Sequence, residues 1–193
     1  MKLTDSEKRE YFRVDDIISV VASPINAGKM GNPEQFKAAM GSKVLPLGEA
    51  RDESASHEEI EYTSITAENR MLFEIISEMK SKLDFIINHF ILEREGLLSP
   101  EKKPVNISAS GVRFTVDYPV KVNDIMEVKL LLPTHPPVAV LAYGEVIRAD
   151  KINDNTYEVA LEYLNMGESA KDKIIQYTMD LERESIRKQR ESQ

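Results

Sequence analysis

The chain contains no cysteine among its 193 residues. This absence excludes disulfide frameworks, thiolate zinc sites and cysteine nucleophiles together, and it fits a reducing compartment. Long apolar runs are also missing, because charged side chains such as Glu78 and Lys82 interrupt the stretch 72–92, whereas a membrane-spanning helix needs about 20 predominantly apolar residues. The N-terminus becomes charged where a secretory signal needs an apolar core. We therefore expect a cytoplasmic protein that does not span a membrane.

Positive charge is in deficit as well. Lysine and arginine number 25 against 33 aspartate and glutamate residues, which gives a formal net charge of −8. A general nucleic-acid binder needs a broad positive surface that displaces counterions, so the composition predicts no nucleic-acid partner. A small anionic ligand stays compatible with this charge if cations are concentrated locally.

Recognisable catalytic and metal-binding motifs are absent. The three histidines, His57, His89 and His135, fall in a polar loop, a predicted helix and a proline-rich turn, each without an obvious partner. The sequence contains no His-Glu-x-x-His, no Gly-x-Ser-x-Gly, and no complete phosphate loop around Gly28-Lys29. We therefore expect no catalytic residue, no metal ligand and no enzymatic activity.

What the chain does contain is alternating apolar sequence at both ends of a long middle section. Residues 11–22 and the strand around Val112, Phe114 and Val116 alternate with a period of two, and further β-rich stretches cover residues 125–132, 138–149 and 156–163. Short turns between closely spaced strands favour a small antiparallel barrel. A helix is predicted over residues 168–190, packed at its start and solvated at its end.

The middle section divides into two parts. Residues 23–65 are rich in glycine and proline and then in acidic residues, which predicts a connection with at most one or two helical turns around residues 33–40. From Thr66 to Glu95 a helix is predicted, because apolar residues recur at spacings of four and three. These residues are Leu72, Ile76, Met79, Leu83, Ile86 and Phe90.

This heptad pattern has two interpretations. The helix either packs on its own barrel or associates with other copies of the chain, and the persistent four-and-three spacing favours association. A second apolar stripe at Ile75, Ile87 and Ile91 indicates packing on more than one neighbour. A coiled coil, a helix hairpin and a four-helix bundle are all compatible, so dimer and tetramer stay open.

Two short polar segments flank the middle section. Arg9 and Arg13 lie at the entrance to the first strand, where a flexible leader can fold over a bound molecule. Guanidinium groups grip phosphate oxygens with paired donors and also stack on purine rings. The same Arg-x-x-x-Arg spacing recurs at Arg183 and Arg187, but there it predicts one solvated face of a charged helix.

The second segment runs from Asn106 to Gly111, immediately before the Val112 strand, and it predicts a turn. The amide of Asn106 offers a donor and an acceptor, and the hydroxyl of Ser108 can serve in either sense. Gly111 supplies either a positive φ or room for a close backbone approach.

Together these segments resemble the PilZ family, which carries an Arg-rich N-terminal loop, an [Asp/Asn]-x-Ser-x-x-Gly turn and a barrel followed by a helix. The resemblance implies a mainly β fold with α additions: a six-stranded antiparallel barrel and C-terminal helix built from residues 1–25 and 103–193. Residues 26–65 are then a variable, partly disordered connection. Residues 66–96 are an inserted oligomerisation helix.

The resemblance also implies a function, that of a bacterial receptor for the second messenger cyclic di-GMP, with no cofactor. Its ligand-binding residues are expected at Lys8, Arg9, Arg13, Asn106, Ser108 and Gly111. Arg9 and Arg13 hold phosphates and stack on guanine, and Lys8 adds a cation. Asn106 and Ser108 read the other surface of the ligand across the barrel, and Gly111 shapes the turn. Such a receptor changes conformation on binding and signals to a protein partner that the sequence does not identify. Whether one ligand or a stacked pair occupies the site stays open. The alternative is an oligomeric adaptor with the same fold that binds no nucleotide.

Overall fold

Seven strands and two helices make up the part of the chain that the computed structural model describes, namely residues 11–25, 40–47, 67–98 and 101–191. The strands are β1 (Val14–Pro24), β2 (Lys43–Pro46), β3 (Lys102–Ser108), β4 (Gly111–Val116), β5 (Ile125–Leu132), β6 (Val138–Lys151) and β7 (Tyr157–Leu164). The helices are α1 (Ala67–Arg94) and α2 (Glu168–Glu191).

Six of the strands close into an antiparallel barrel. Their order around the ring is β6, β5, β1, β3, β4 and β7, and β7 pairs back to β6. The predicted six-stranded barrel is therefore confirmed, and its closure removes the free sheet edges of these strands. The short strand β2 pairs with Val138–Leu141 of β6 in addition to the ring. It was not predicted, because four residues are too few to display an alternating pattern.

The barrel interior is filled by alternate side chains of its strands. In β4 the predicted alternation holds, since Val112, Phe114 and Val116 are buried while Arg113 and Thr115 are partly exposed. Each fully buried aliphatic or aromatic side chain contributes about 1.5–3 kcal/mol relative to exposure. Other large side chains that are fully buried are Ile18, Ile107, Met126, Leu130, Leu132, Leu161 and Ile174.

Strand β1 begins later than the sequence indicates. The alternating stretch starts at Tyr11, but pairing begins at Val14, and Phe12, on the apolar face of that stretch, lies outside the strand and is half exposed. Asp16, which interrupts that apolar face, is partly buried, and its carboxylate accepts a hydrogen bond from the hydroxyl of Tyr177 on α2. A hydrogen-bonded carboxylate is tolerated at such a position because the bond replaces lost hydration.

The predicted turn from Asn106 to Gly111 is shorter than expected. Asn106 and Ser108 belong to β3, Gly111 begins β4, and the turn itself is Ala109-Ser110. The strand was missed because Pro104 falls within it, and proline is usually a sign against a strand.

Helix α1 is attached to the barrel at one end. It ends before Gly96, which has a positive φ of 71°, the left-handed conformation at which many helices stop. Next to this end, Ile91 and Leu92 pack on a small cluster of Leu47, Leu97 and Ala139 on the outer surface of the barrel. Neither α1 nor α2 is long and apolar enough to cross a membrane.

Helix α2 covers the barrel core with its first half. Ala170, Ile174 and Tyr177 are buried against the core, and Leu181 is partly buried there. Beyond residue 182 the side chains are exposed. The predicted division into a packed start and a solvated end is therefore confirmed.

Candidate functional site

The two predicted polar segments meet on neighbouring strands. β1 and β3 are antiparallel partners, with Val14 opposite Ile107 and Asp15 opposite Asn106. Arg13 immediately precedes this pair and its side chain is exposed. The fold therefore brings Arg13 next to the end of β3, although a long stretch of sequence separates them. Lys8 and Arg9, the other predicted cations, lie outside the described residues.

Asn106 has a defined partner. Its side-chain amide nitrogen donates a hydrogen bond of 2.8 Å to Oδ1 of Asp15 across the β1–β3 pair. In the next strand of the ring, Arg113 is opposite Asn106. Asp15, Asn106 and Arg113 thus form a row of polar side chains across three adjacent strands.

Ser108 faces a different environment from Asn106. It is fully buried, and its hydroxyl donates to the carbonyl of Gly111 at 3.3 Å and lies 3.1 Å from the hydroxyl oxygen of Ser110. In this arrangement Ser108 holds the hairpin turn and is not available to a ligand on the surface.

Gly111 is required by a close approach between strands. A β-carbon at this position would lie 2.2 Å from the carbonyl oxygen of Leu161 in β7, well inside the closest real contacts. Of the two predicted reasons for this glycine, close backbone approach is the one that applies. Positive φ among the described glycines occurs at Gly96 instead.

The row of polar side chains borders an open groove on the outer surface of the barrel, with a volume of about 420 Å³. The groove crosses β1, β3, β4 and β7, so it lies on the ring where the two motifs meet. Its lining combines apolar and polar residues. They include Asp15, Asp16, Ile17, Pro104, Asn106, Arg113, Thr115 and Glu158.

Arg113 is held between carboxylates of both flanking strands. Its guanidinium nitrogens lie 4.0 Å from Asp15 and 3.7 Å from Glu158, and Glu158 also accepts a hydrogen bond of 2.9 Å from Arg148. Because these side chains are substantially exposed, each pair contributes little stability. The network instead restrains where the Arg113 guanidinium lies.

Sequence reasoning did not find Asp15, Arg113 or Glu158. Two of them leave a usable signal, since Asp15 is two residues after Arg13 and Arg113 is two residues after Gly111. Residues two apart on a strand share a face. Residues two positions from a motif residue on the same strand are therefore candidates for the same site.

The site contacts α2 at two points. Burial, followed by the hydrogen bond and the negative charge of Asp16, raises the pKa of Tyr177 above its usual range. The ammonium group of Lys171 lies 4.8 Å from the centre of the Tyr11 ring, two residues before Arg13. Tyr11 before β1 and Asp16 within β1 are thus both in contact with α2.

The second Arg-x-x-x-Arg copy lies where the sequence predicts. Arg183 and Arg187 are exposed on the solvated half of α2, with Asp180 at 3.2 Å from Arg183 and Glu191 at 3.6 Å from Arg187. No group of three or more potential metal ligands is found among the residues that the structure describes. His57 lies outside those residues.

Comparison with known proteins finds a match to one domain family in the second half of the chain. The PilZ domain model matches residues 94–180. A Xanthomonas campestris structure, described as a tetrameric PilZ domain self-assembled through an unusual helical bundle, is similar with a TM-score of 0.51 and 14% identity, covering 92% of this chain and 91% of that chain. The Bacillus subtilis inhibitor of motility is similar with a TM-score of 0.46 and 11% identity, covering 91% of this chain.

This chain spans about half of the Bacillus subtilis protein, namely 51%. No curated protein matches the chain significantly. The matched residues 94–180 contain β3 to β7 and the first half of α2, and β1 completes the ring from outside that range. The closed barrel and the helix that follows it agree with this match of residues 94–180 to the PilZ domain.

Proposed function

We propose that this chain is a non-enzymatic, cytoplasmic receptor for cyclic di-GMP that forms an oligomer through residues 66–96. The observation that carries the proposal is that Arg13 immediately precedes the strand β1, which pairs with the Asn106 strand beside an open groove. PilZ domains are binding modules, and Arg113 in the groove lining offers a hydrogen-bond donor for phosphate oxygens.

Each residue of the motif has a distinct part in this proposal. Arg13 supplies an exposed guanidinium for phosphate, and Lys8 and Arg9 add cations from the preceding segment. Asn106 contacts the base from the barrel surface. Ser108 and Gly111 act indirectly, because the buried hydroxyl and the missing side chain fix the turn that places Asn106.

Ligand binding is proposed to draw residues 7–13 onto the groove. The cation–π contact of Tyr11 with Lys171 and the hydrogen bond of Asp16 to Tyr177 support transmission from this segment to α2. A ligand shifts such an equilibrium only by binding the closed arrangement more tightly than the open one. The altered α2 surface is then presented to a protein partner.

Association through α1 is supported by its uncovered apolar surface. Eleven large apolar side chains between residues 71 and 90 are each at least 46% exposed in the single chain. They are Met71, Leu72, Phe73, Ile75, Ile76, Met79, Leu83, Phe85, Ile86, Ile87 and Phe90. Apolar patches of this extent on a soluble protein mark interaction surfaces.

The width of that surface bears on the number of copies. Leu72, Ile76 and Leu83 belong to the heptad seam, whereas Phe73 and Phe85 lie off it, so one partner helix would leave apolar side chains uncovered. We therefore favour a bundle of more than two α1 helices. The helical bundle described for the Xanthomonas campestris protein is a precedent for this arrangement.

An adaptor that binds no nucleotide is the second candidate. The observation in its favour is the acidic lining of the groove, where Asp15, Asp16 and Glu158 would repel phosphate. Such an adaptor assembles through α1 but is not regulated by a nucleotide ligand.

Calorimetric titration of cyclic di-GMP into the full chain distinguishes the two candidates. The receptor proposal predicts saturable binding that weakens at least about tenfold in Arg13→Ala, because a charge-assisted contact is lost. Arg187→Ala is the matched control, since it removes an exposed arginine of the same spacing on α2 and should leave binding unchanged. No heat and no thermal shift at high ligand concentration would favour the adaptor.

A further inference from the structure

The hydrogen bond between Asp15 and Asn106 has a chemical consequence for the groove. A carboxylate can only accept hydrogen bonds, so the 2.8 Å contact requires the amide nitrogen of Asn106 to face Asp15. The carbonyl oxygen is then the free end of an amide that lines the groove. Asp15 thus converts an ambiguous side chain, which can present either end, into a fixed acceptor.

A fixed acceptor distinguishes between purines. The Watson–Crick edge of guanine carries two adjacent donors, the N1–H and the exocyclic amino group. Adenine presents an acceptor at N1 beside its amino donor. An oxygen at this position therefore accepts a hydrogen bond from guanine, whereas it faces the lone pair of adenine N1, so the adenine contact is lost.

We propose that Asp15 is a positioning residue that makes the site selective for guanine by holding the carbonyl oxygen of Asn106 toward the ligand. The inference deepens the proposed cyclic di-GMP receptor function and rests on it. In this proposal the Asp15 carboxylate does more than repel the ligand phosphates. It orients the side chain of Asn106 that contacts the base, while Arg13 binds the phosphates.

A different role for Asp15 predicts the opposite effect on ligand binding. If the carboxylate of Asp15 served only as a competitor for Arg113, which lies 4.0 Å away, its removal would free that arginine and strengthen binding of an anionic ligand. If Asp15 positions Asn106, its removal weakens binding, because the amide then rotates between two orientations.

The test uses the full chain and calorimetric titration with cyclic di-GMP and cyclic di-AMP. Asp15→Ala should weaken cyclic di-GMP binding by about fivefold and narrow the preference over cyclic di-AMP, because the freed amide can donate to adenine N1. Asp154→Ala removes the same charge from an exposed turn outside the groove lining and should change neither affinity.

Rescue separates positioning from a general structural effect. In the double variant D15N/N106D the hydrogen bond is rebuilt in reverse, since the amide introduced at position 15 donates to the carboxylate introduced at position 106. That carboxylate keeps an oxygen free for guanine. The double variant should bind cyclic di-GMP more tightly than Asp15→Ala and recover the preference over cyclic di-AMP.

Two results would overturn the inference. Cyclic di-GMP binding by Asp15→Ala that is unchanged or tighter would exclude positioning while leaving the receptor proposal intact. Absence of cyclic di-GMP binding by the unaltered chain would instead overturn the receptor proposal, and the guanine selectivity with it.

Discussion

Lys129 of β5 donates a hydrogen bond of 3.0 Å to the carboxylate of Glu95, the first residue after α1. The two side chains are only 16% and 14% exposed, so the bond is partly shielded from water. The hydrogen bond from Lys129 lowers the pKa of Glu95, although burial opposes the effect. This contact lies next to the packing of Ile91 and Leu92 and fixes the base of α1 to the barrel.

Glu95→Gln is predicted to lower the free energy of unfolding at pH 7 by about 1 kcal/mol, because it removes the charge from this hydrogen bond. A carboxyl whose folded pKa is depressed contributes stability above its unfolded value, here 4.5, and loses it as pH falls through the folded value. The difference between the two proteins in urea denaturation should therefore shrink below about pH 4.5. Glu101→Gln, at an exposed glutamate, is the control, and an equal effect there would contradict the prediction.

Ile76→Glu is predicted to dissociate the oligomer, because it places a charge in the apolar seam of α1. Light scattering coupled to size-exclusion chromatography should show a mass closer to that of one chain. Circular dichroism should show an intact barrel, since Ile76 is 58% exposed in the single chain. Ser81→Glu introduces the same side chain at an exposed polar position of α1 and should keep the larger mass. A monomeric unaltered protein would refute association outright.

Gly111→Ala is predicted to destabilise the barrel by about 1–3 kcal/mol, because the added methyl would collide with the carbonyl of Leu161. Thermal denaturation should show a lower midpoint by several degrees, at about 2–4 °C per kcal/mol for a chain of this size. Gly41→Ala is the matched control, since a β-carbon there meets no atom within 4 Å. Equal midpoints for the two variants would show that β4 and β7 can separate at little cost.

Removing the hydroxyl from Tyr177 and from Tyr163 should affect the free energy of unfolding differently. Tyr177→Phe loses the hydrogen bond to Asp16 and leaves that carboxylate partly buried, so unfolding free energy should fall by about 1–3 kcal/mol. The hydroxyl of Tyr163 is buried without a hydrogen-bond partner among the described residues. Tyr163→Phe should therefore be neutral or stabilising in the same urea titration. A loss in Tyr163→Phe as large as in Tyr177→Phe would contradict this interpretation.

The barrel was predictable because strand alternation is a local property. The buried faces of β4 and β7 follow from residues two apart, and neither depends on knowing the partner strand. The two ends of the site were predictable as motifs for the same reason. Their meeting at Asp15 and Asn106 was not visible locally, because the register between β1 and β3 joins residues distant in sequence.

Ser108 shows why the face of a motif residue can be missed. It is two residues from Asn106 and should share its exposure, yet it is buried. The reason lies in β7, where the backbone N–H of Tyr163 donates to the carbonyl of Ser110 at 3.0 Å and brings that strand over the turn. Burial by a strand that is distant in sequence cannot be predicted from the local alternation of apolar and polar residues.

Strand β1 separates β3 from β5 in the ring, although both of those strands come much later in the chain. A fragment starting at residue 94 would therefore expose two unpaired strand edges, the arrangement that promotes edge-to-edge aggregation. Pairing β1 with its neighbours also requires closure of a long loop, whose entropic cost must be met before those contacts stabilise the barrel. We therefore expect the β3–β4 and β5–β6 hairpins to form early in folding and the insertion of β1 to be a late, slow step.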